Sequence, residues 1–437
     1  MAISPARTAA FDILLRVEQT ESFASELLHS AGYSKLTSSD HGLATELVMG
    51  VLRWKPVLDR ELAASSSLKL DKIDVEVLTA LRLAAYQLKF LDRIPGHAAV
   101  HESVELVKRA RKRSAAAFVN AVLRKLSERP KLPPTTATNA DELAAQTAHP
   151  LWLVERWTQE FGFEVTQKIC QHDQLTPQTA IRLSAGSAAD ELKEEGVELS
   201  PGLLLTHARR VVSGNVSHTR AFRRGKIAIQ DEASQLVALL LGHGQNFLDC
   251  CAAPGGKTRV IAEGNPQASV LALDLHPQRA ALLRKLVPAS NVTVETADMR
   301  SFESPQRFDR VLADVPCSGT GTLAHNPEIK WKLTEDDLRD LQERQSAILR
   351  AAMKCVAPGG RIVYSTCSLE REENSAVVEQ ALEGFRVVNV REELERLHSE
   401  GELSWSDLDA LGSGPYLRTL PGKHPCDGFF AAILERK

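Results

Sequence analysis

Two of the seven cysteines, Cys317 and Cys367, stand in settings that suit chemistry better than packing. Each comes just after a predicted strand and is flanked by turn residues: Pro316 and Gly319 around the first, serine and threonine around the second. A buried cysteine is usually a small hydrophobe. At an accessible turn, however, a thiolate is a nucleophile that forms covalent intermediates. Both residues are therefore candidate nucleophiles.

Three acids, Asp249, Asp274 and Asp298, end or follow three successive predicted strands. The first of these strands leads into a turn of small residues that includes Gly255 and Gly256. In open α/β sheets, ligands bind beyond the carboxyl ends of the strands, and glycines let them approach the backbone. The pattern favours an adenosine-containing ligand with an attached cation, although each acid alone could equally be a strand-end or capping residue.

Two common nucleotide-binding motifs are excluded at this turn. A P-loop requires Gly-x-x-x-x-Gly-Lys-Ser/Thr, and its first glycine would fall at Cys251, with Pro254 inside the loop. The dinucleotide fingerprint Gly-x-Gly-x-x-Gly is also absent. A plain strand–turn–helix connection stays open on these residues alone.

From Ile227 onward, apolar runs of strand length alternate with helical patterns, which predicts a parallel sheet with crossover helices. The predicted strands and the main predicted helices of this region are 246–251, 269–274, 292–296, 308–314, 361–365, 385–390 and 428–434, with helices at 231–241, 257–263, 277–286, 336–356 and 372–382. The candidate chemistry stands at the carboxyl ends of these strands.

The first 130 residues carry apolar residues at helical spacing and predict a compact helical bundle. Among the helices, 40–53 and 56–65 are separated at Pro56. Residues 1–135 hold 20 Lys and Arg against 15 Asp and Glu, and the run 108–113 is the most basic stretch. That run is either a solvated helix end or a phosphate-contacting patch. A proline- and threonine-rich segment, 130–138, predicts a linker, and 141–225 mixes helices with short strands.

The bulk composition is that of a globular chain of 437 residues, with 43% hydrophobic residues, 25% charged residues and a net charge of −3. No apolar run is long enough to span a bilayer or to form a signal peptide. Seven cysteines without framework spacing favour a reducing compartment, and no ligand spacing for a metal is present. We therefore expect a cytoplasmic protein with no metal and no membrane partner.

Several motifs resemble those of the NOL/NOP/Sun family of RNA 5-methylcytosine methyltransferases, and the helical N-terminal region resembles the NusB-like RNA-binding bundle. The combination is similar to the bacterial Sun/Fmu branch, which methylates small-subunit ribosomal RNA. The resemblance covers essentially the whole chain, with one small departure at Cys250. The motifs that carry it are Asp249–Thr258, Asp314–Gly321, Ser365–Leu369, Gln230–Ser234, Asp427–Phe430, Asp40–Val48 and Ala115–Arg124.

The sequence pattern and the resemblance together indicate three domains: an all-α NusB-like RNA-binding bundle over 1–135, a small α+β RNA-binding or linker module over 141–225, and an α/β Rossmann-like methyltransferase domain over 226–437. It implies S-adenosylmethionine as cofactor and ribosomal RNA as partner, and we expect a monomer. It further implies Cys367 as the nucleophile, Cys317 as the residue that assists product release, and Asp314 as the partner of ring nitrogen 3. The implied cofactor contacts are Cys251, Ala252, Ala253, Pro254, Gly255, Gly256, Lys257, Asp274, Asp298 and Asp314.

Three alternatives stay open at this point. The substrate could be transfer RNA, because no base-reading residue distinguishes the two RNAs. The cysteine roles could be reversed, with Cys317 as the attacking thiol. The chain could also be a catalytically silent RNA-binding or antitermination factor. A methyltransferase that acts on amino groups is disfavoured, since it would have no use for Cys367.

Overall fold

A computed structural model describes residues 3–20, 22–28, 30–33, 35–130, 136–184 and 188–437 of the chain. It divides into two compact units. Unit 1 comprises Met1–Thr176 together with Leu323–Lys332, and unit 2 comprises Pro177–Thr322 together with Leu333–Lys437. Most of the predicted linker lies outside the described residues, since 131–135 are not described.

Unit 1 is built from helices. The first nine helices in chain order are α1 Pro5–Gln19, α2 Ala24–Leu28, α3 Ser38–Ser65, α4 Val75–Phe90, α5 Gly96–Arg109, α6 Ala116–Ser127, α7 Ala140–Thr147, α8 Leu151–Phe161 and α9 Phe163–His172. Alanine, leucine and valine side chains of α1 and α3–α6 form one buried core. The predicted helical bundle is confirmed.

The break predicted at Pro56 is wrong, because α3 runs through that proline as one helix. Proline has no N–H, so the carbonyl of Leu52, four residues earlier, loses its helical donor. The indole N–H of Trp331 donates to that carbonyl at 2.7 Å. A residue distant in sequence therefore supplies the hydrogen bond that the proline removes.

The segment Leu323–Lys332 belongs to unit 1, although unit 2 flanks it on both sides in sequence. Its Lys330 is 1% exposed and donates to the carbonyls of Arg53 and Ala148 at 3.1 and 2.9 Å. Arg53 in turn donates to the carbonyl of Ala324 at 2.9 Å. These bonds bind the segment into the helical unit.

The two units cut across the predicted module 141–225. Its helices α7–α9 group with unit 1, whereas its strands group with unit 2. Contacts distant in sequence, such as that of Lys330 with Ala148, decide this grouping. The three domain boundaries stay predictions.

Unit 2 contains a small antiparallel sheet and a large mixed one. The strands are β1 Ala180–Leu183, β2 Glu198–Pro201, β3 Ala208–Ser213, β4 Ile227–Ile229, β5 Asn246–Asp249, β6 Ser269–Asp274, β7 Val292–Thr296, β8 Phe308–Asp314, β9 Val356–Thr366, β10 Phe385–Val388, β11 Gly412–Ser413, β12 Tyr416–Thr419 and β13 Phe429–Arg436. The remaining helices are α10 Ala188–Glu194, α11 Arg220–Arg223, α12 Glu232–Leu239, α13 Gly256–Gly264, α14 Pro277–Leu286, α15 Ile329–Lys332 (within the unit 1 segment), α16 Glu335–Cys355, α17 Ser375–Glu379 and α18 Val390–Ser399.

The large sheet has the order β11-β12-β13-β9-β8-β5-β6-β7, and β10 pairs with β13. Strands β5–β9 are parallel, whereas β10–β13 pair antiparallel, so the expectation of a parallel sheet is confirmed only for the first five. Its two faces are buried, because Val311 and Ala313 lie in one core and Leu312 lies in another. The predicted Rossmann-like α/β class is confirmed.

The strand order indicates where a ligand would bind. The chain runs from β5 outward to β6 and β7, and then crosses back to β8 and β9 on the other side of β5. Such a reversal opens a crevice beyond the carboxyl ends of the central strands. Here that crevice lies beyond β5 and β8.

No helix among the described residues is both long and apolar enough to cross a lipid bilayer. Nor do three or more His, Cys, Asp and Glu side chains in that part of the chain come together as metal ligands.

Candidate active site

The two candidate thiols meet at the edge of the sheet. Cys317 follows β8 and Cys367 follows β9, and these strands are parallel neighbours with Asp314 paired to Ser365. Carboxyl ends of adjacent parallel strands lie at the same edge, so the two turns are side by side. The sulfur atoms are 3.3 Å apart, and both side chains are half-buried.

The turns that carry the thiols are bonded to each other. The N–H of Gly321 donates to the carbonyl of Cys367 at 2.8 Å, and the N–H of Gly428 donates to the carbonyl of Gly321 at 2.8 Å. A Cβ atom at Gly321 would lie 2.2 Å from the backbone carbonyl oxygen of Gly428, so only glycine fits there.

The hydrogen bond with Cys367, followed by burial, raises the pKa of the Cys317 thiol well above its usual range. Cys317 therefore keeps its proton at neutral pH. A protonated thiol beside a second sulfur can serve as a proton donor to it.

Asp314 is held on both carboxylate oxygens. The ammonium of Lys257 lies 2.7 Å from Oδ2, and the hydroxyl of Ser365 donates to Oδ1 at 2.7 Å. Lys257 also sits 5.1 Å from the centre of the Phe429 ring. Burial is the largest single effect and lowers the pKa of Lys257, but the carboxylate of Asp314, together with Cys367 and Asp249, outweighs it, so the net shift is upward and Lys257 stays charged.

Asp249 is a buried acid, 1% exposed, at the end of β5. Its Oδ2 accepts a hydrogen bond from the Thr258 hydroxyl at 2.7 Å, whereas its Oδ1 has no hydrogen-bond partner within the described chain. Burial raises the pKa of Asp249 to about 7, and the nearby carboxylate of Asp314 adds to the shift. An unpaired buried carboxylate oxygen is costly, which makes it a natural partner for a cationic ligand group.

A cavity of about 730 Å³ opens beside these residues. Three groups line it: the small-residue turn Cys251–Lys257, the acids Asp249 and Asp314, and a rim that includes Arg223, Arg224 and Lys285. Pockets that bind drug-sized ligands have volumes of roughly 300–1,000 Å³. The cavity size, the unpaired oxygen of Asp249 and the backbone at the start of α13 together fit a cationic adenosine cofactor.

Two predicted cofactor contacts are not among the residues that line this cavity in the described chain. Asp274 is 4% exposed and accepts the backbone N–H of His276 at 2.9 Å. Asp298 binds the guanidinium of Arg300, with the closest pair at 2.7 Å, and its pKa is lowered by that hydrogen bond. Their roles toward the cofactor stay predictions.

The two turn glycines, which line the cavity, also pack closely against the rest of the protein. Gly255 has φ +114°, and a Cβ there would lie 2.5 Å from Leu283 of α14. A Cβ at Gly256 would lie 3.0 Å from the Gln230 side chain. The left-handed φ at Gly255 favours glycine, and a side chain at Gly256 would require the Gln230 side chain to move. That these glycines let a ligand approach the backbone stays a prediction.

One residue that sequence reasoning missed is Glu373, in the short turn Arg371–Glu373 after β9. Its buried carboxylate accepts hydrogen bonds from Ser318 and Ser368, the residues that follow the two cysteines. The sequence offered no signal, because Glu373 lies in a run of charged residues that is typical of a solvated helix start.

The basic run 108–113 is largely neutralised within unit 1. Lys108 pairs with Glu105 at 2.7 Å, Arg109 with Asp12 at 2.7 Å, and Lys112 with Asp74 at 3.0 Å. Contact of this run with RNA stays a prediction.

Comparison with protein families gives two matches along this chain. The model of the 16S rRNA methyltransferase RsmB/F family matches residues 236–435, and the NusB family model matches residues 4–128.

Full-length relatives agree with these matches. The probable ribosomal RNA small subunit methyltransferase B of Bacillus subtilis is 35% identical, over 99% of this chain and 98% of that protein. The ribosomal RNA small subunit methyltransferase B of Vibrio cholerae is 30% identical, over 99% and 97%.

Solved structures share the fold. The crystal structure of PH0851 superposes with a TM-score of 0.82 at 24% identity, covering 100% of both chains. NSun6 from Pyrococcus horikoshii, solved with SFG, gives a TM-score of 0.55 at 21% identity, over 64% of this chain and 97% of that one.

Proposed function

This chain belongs to the RsmB/F family of 16S rRNA methyltransferases, and on that premise we propose that it methylates carbon 5 of a cytosine in small-subunit ribosomal RNA through a covalent adduct with Cys367. S-adenosylmethionine is the cofactor. The observation that carries the proposal is the pair of sulfurs, 3.3 Å apart, on the turns that follow Asp314 and its strand neighbour Ser365. A methyltransferase acting on an amino group would have no use for the second thiol.

The chemistry explains why a thiol is needed. Carbon 5 of cytosine is a poor nucleophile. When the Cys367 thiolate bonds to carbon 6, the electron pair of the 5,6 double bond becomes available at carbon 5. Asp314, fixed by Lys257 and Ser365, binds the base with a proton from solvent on ring nitrogen 3: that N–H donates to the carboxylate, and the proton neutralises the negative charge that the addition puts on the ring.

The residues of the turn Cys251–Lys257, with Asp249, would hold the cofactor, whose sulfonium supplies the methyl group when it is bound. Asp249 contributes a carboxylate oxygen that no protein group satisfies within the described chain. Asp274 and Asp298 would extend the contact from neighbouring strands.

Product release needs the sulfur–carbon bond to break. Transfer of the carbon 5 proton to water restores the double bond and expels the Cys367 sulfur as a thiolate. Cys317 keeps its proton and lies 3.3 Å away, so it can protonate the departing sulfur.

RNA would approach across the rim of the cavity, where Arg223, Arg224 and Lys285 are exposed. Lysine and arginine side chains at such a rim contact phosphates and give salt-dependent affinity. The target base must leave its stack to reach the thiols, which costs a few kcal/mol unless the RNA is already looped. A ribosomal substrate would place the reaction in the cytoplasm.

The test is methylation of purified 16S rRNA by the full chain, followed by bisulfite sequencing. We expect one protected cytosine, and about 100-fold slower modification by Asp314→Asn, which keeps the size of the side chain but removes its charge. Transfer RNA in a parallel reaction tests the alternative substrate. Methyl incorporation without a protected cytosine in either RNA would contradict the proposal.

A further inference from the structure

Glu373 lies at the centre of a hydrogen-bond network between the two cysteine turns. Its Oε1 accepts the backbone N–H of Ser318 at 2.8 Å, and its Oε2 accepts the hydroxyls of both Ser318 and Ser368. Those two hydroxyls are also bonded to each other at 3.0 Å. One carboxylate therefore bonds the residue after Cys317 to the residue after Cys367.

A second side chain completes the network. Gln345 of α16 donates to Glu373 Oε1 at 2.8 Å and to the carbonyl of Pro316, the residue before Cys317, at 3.0 Å. The hydroxyl of Tyr364 on β9 donates to the backbone carbonyl of Glu373 at 2.6 Å. The carboxylate thus sits on a fixed backbone and is bonded to both turns.

This arrangement is costly. Glu373 has 0% exposure and, in the part of the chain that the structure describes, forms no ion pair. Burial raises its pKa, and the hydrogen bonds from Ser318, Ser368 and Gln345 oppose that shift. A buried carboxylate without a cation is tolerated only where several donors converge on it. Here the converging donors belong to the two thiol-bearing turns and to the helix behind them.

We propose that Glu373 is a positioning residue for the methylation proposed above: its carboxylate joins the two cysteine turns and so sets the separation of the thiols. The inference rests on the proposed function for its purpose but not for its geometry. Within the described chain Glu373 has no hydrogen bond to either sulfur, although its charge helps to raise the pKa of Cys317. It acts through Ser318 and Ser368, each one residue from a thiol.

The geometry can be measured without RNA. Phenylarsine oxide bonds two thiols to one arsenic atom and releases one water, so its capture rate reports whether Cys317 and Cys367 are held together. Peptide mapping by mass spectrometry identifies which cysteines are bridged, and so separates this pair from the sequence neighbours Cys250 and Cys251. We expect Glu373→Ala to slow bridging of Cys317 to Cys367 by at least about tenfold.

Glu373→Ala and a second variant, Glu373→Gln, are then assayed for methylation. For Glu373→Ala we expect kcat to fall about 100-fold with an unchanged KM for RNA, because a small displacement of reacting groups is costly in rate. Glu373→Gln keeps the shape and one acceptor oxygen, so we expect partial rescue, with kcat reduced about tenfold. This variant decides the matter if the alanine variant does not fold.

The matched control is Glu393→Gln. Glu393 is also a buried carboxylate of unit 2, but it pairs with Arg361 and Arg396 and has no bond to either cysteine turn. We expect normal bridging and normal kcat from this variant. S-adenosylmethionine affinity, measured by calorimetry, should be unchanged in all three variants.

Two results would overturn the inference: unchanged bridging and kcat in both Glu373 variants, or loss of cofactor affinity in parallel with kcat, which would indicate a role in folding alone. If bridging depends on Glu373 but the parent chain methylates no cytosine, the positioning role stands and the proposed function fails.

Discussion

At the scale of single residues, Asp249 lines the cavity and is expected to destabilise the cofactor-free chain. Its carboxylate is buried, one oxygen has no partner within the described chain, and its pKa is raised to about 7. A group that destabilises the empty protein but faces a cavity is typical of a binding site. The stability of the cofactor-free chain should therefore show the titration of this residue.

We expect Asp249→Asn to gain stability relative to the parent as the pH rises. The folded-state pKa lies above the unfolded value, so the folded parent holds the extra proton between about pH 4 and pH 7, and its free energy of unfolding falls across that window. The asparagine variant lacks this loss. The difference should reach up to about 4 kcal/mol by pH 8, measured by urea unfolding without cofactor.

Asp298→Asn is the matched control, because the hydrogen bond with Arg300 lowers the pKa of Asp298. Its contribution is fully present above the unfolded pKa of about 4 and is lost only at lower pH, so this variant and the parent should respond equally to pH between about pH 5 and pH 8. If Asp249→Asn and the parent respond equally to pH, the pKa of Asp249 is not raised in the folded chain.

At the residue scale, the positions of the two cysteines could be predicted, whereas the network behind them could not. Cys317 and Cys367 were singled out because each follows a strong apolar run, which predicts a strand end, and Asp314 came from the family resemblance. Glu373 was not found, because its importance comes from burial and from contacts with residues 55 and 5 positions away. No local pattern distinguishes such a glutamate from a solvated one.

At the scale of elements, helix α3 contains a proline whose missing hydrogen bond is replaced from outside the helix. Trp331 donates to the carbonyl of Leu52 at 2.7 Å, and Lys330 donates to that of Arg53 at 3.1 Å. The segment Leu323–Lys332 thus contacts α3 at the point where the helix lacks a backbone hydrogen bond.

We expect Trp331→Phe to lower the free energy of unfolding of the helical unit by about 1–3 kcal/mol, because the Leu52 carbonyl loses its donor. In a Pro56→Ala background the helix regains a backbone N–H for that carbonyl. The same substitution should then cost much less, as measured by circular dichroism in a double-mutant cycle. An equal cost in both backgrounds would assign the effect of Trp331 to packing alone.

Strand prediction at this scale was accurate where strands are buried and parallel. Strands β6 and β8 and helix α14 occur at the predicted residues, because a strand covered by other elements is a mostly apolar run. The edge strand β7 also occurs at its predicted residues, although it is not buried. The short strands β11 and β12 were missed, since their pairing with β13 is determined by contacts distant in sequence.

At the scale of the whole molecule, sequence order and compact units do not coincide. Residues 323–332 lie within the methyltransferase sequence but fold with unit 1, beginning one residue after the turn that carries Cys317 ends. Composition and periodicity predicted both fold classes, but they could not predict that this segment folds with unit 1. It depends on buried contacts such as that of Lys330 with the Ala148 carbonyl.

Attachment of Cys367 to a cytosine ring is tested most directly by comparing two variants of the full chain, incubated with 16S rRNA and S-adenosylmethionine, on a denaturing gel. Cys317→Ala should accumulate a covalent RNA–protein band, because the thiol that assists release of Cys367 is gone. Cys367→Ala should give neither a band nor methylation. A band from Cys367→Ala and none from Cys317→Ala would reverse the two roles, and methylation by Cys367→Ala would contradict the mechanism itself.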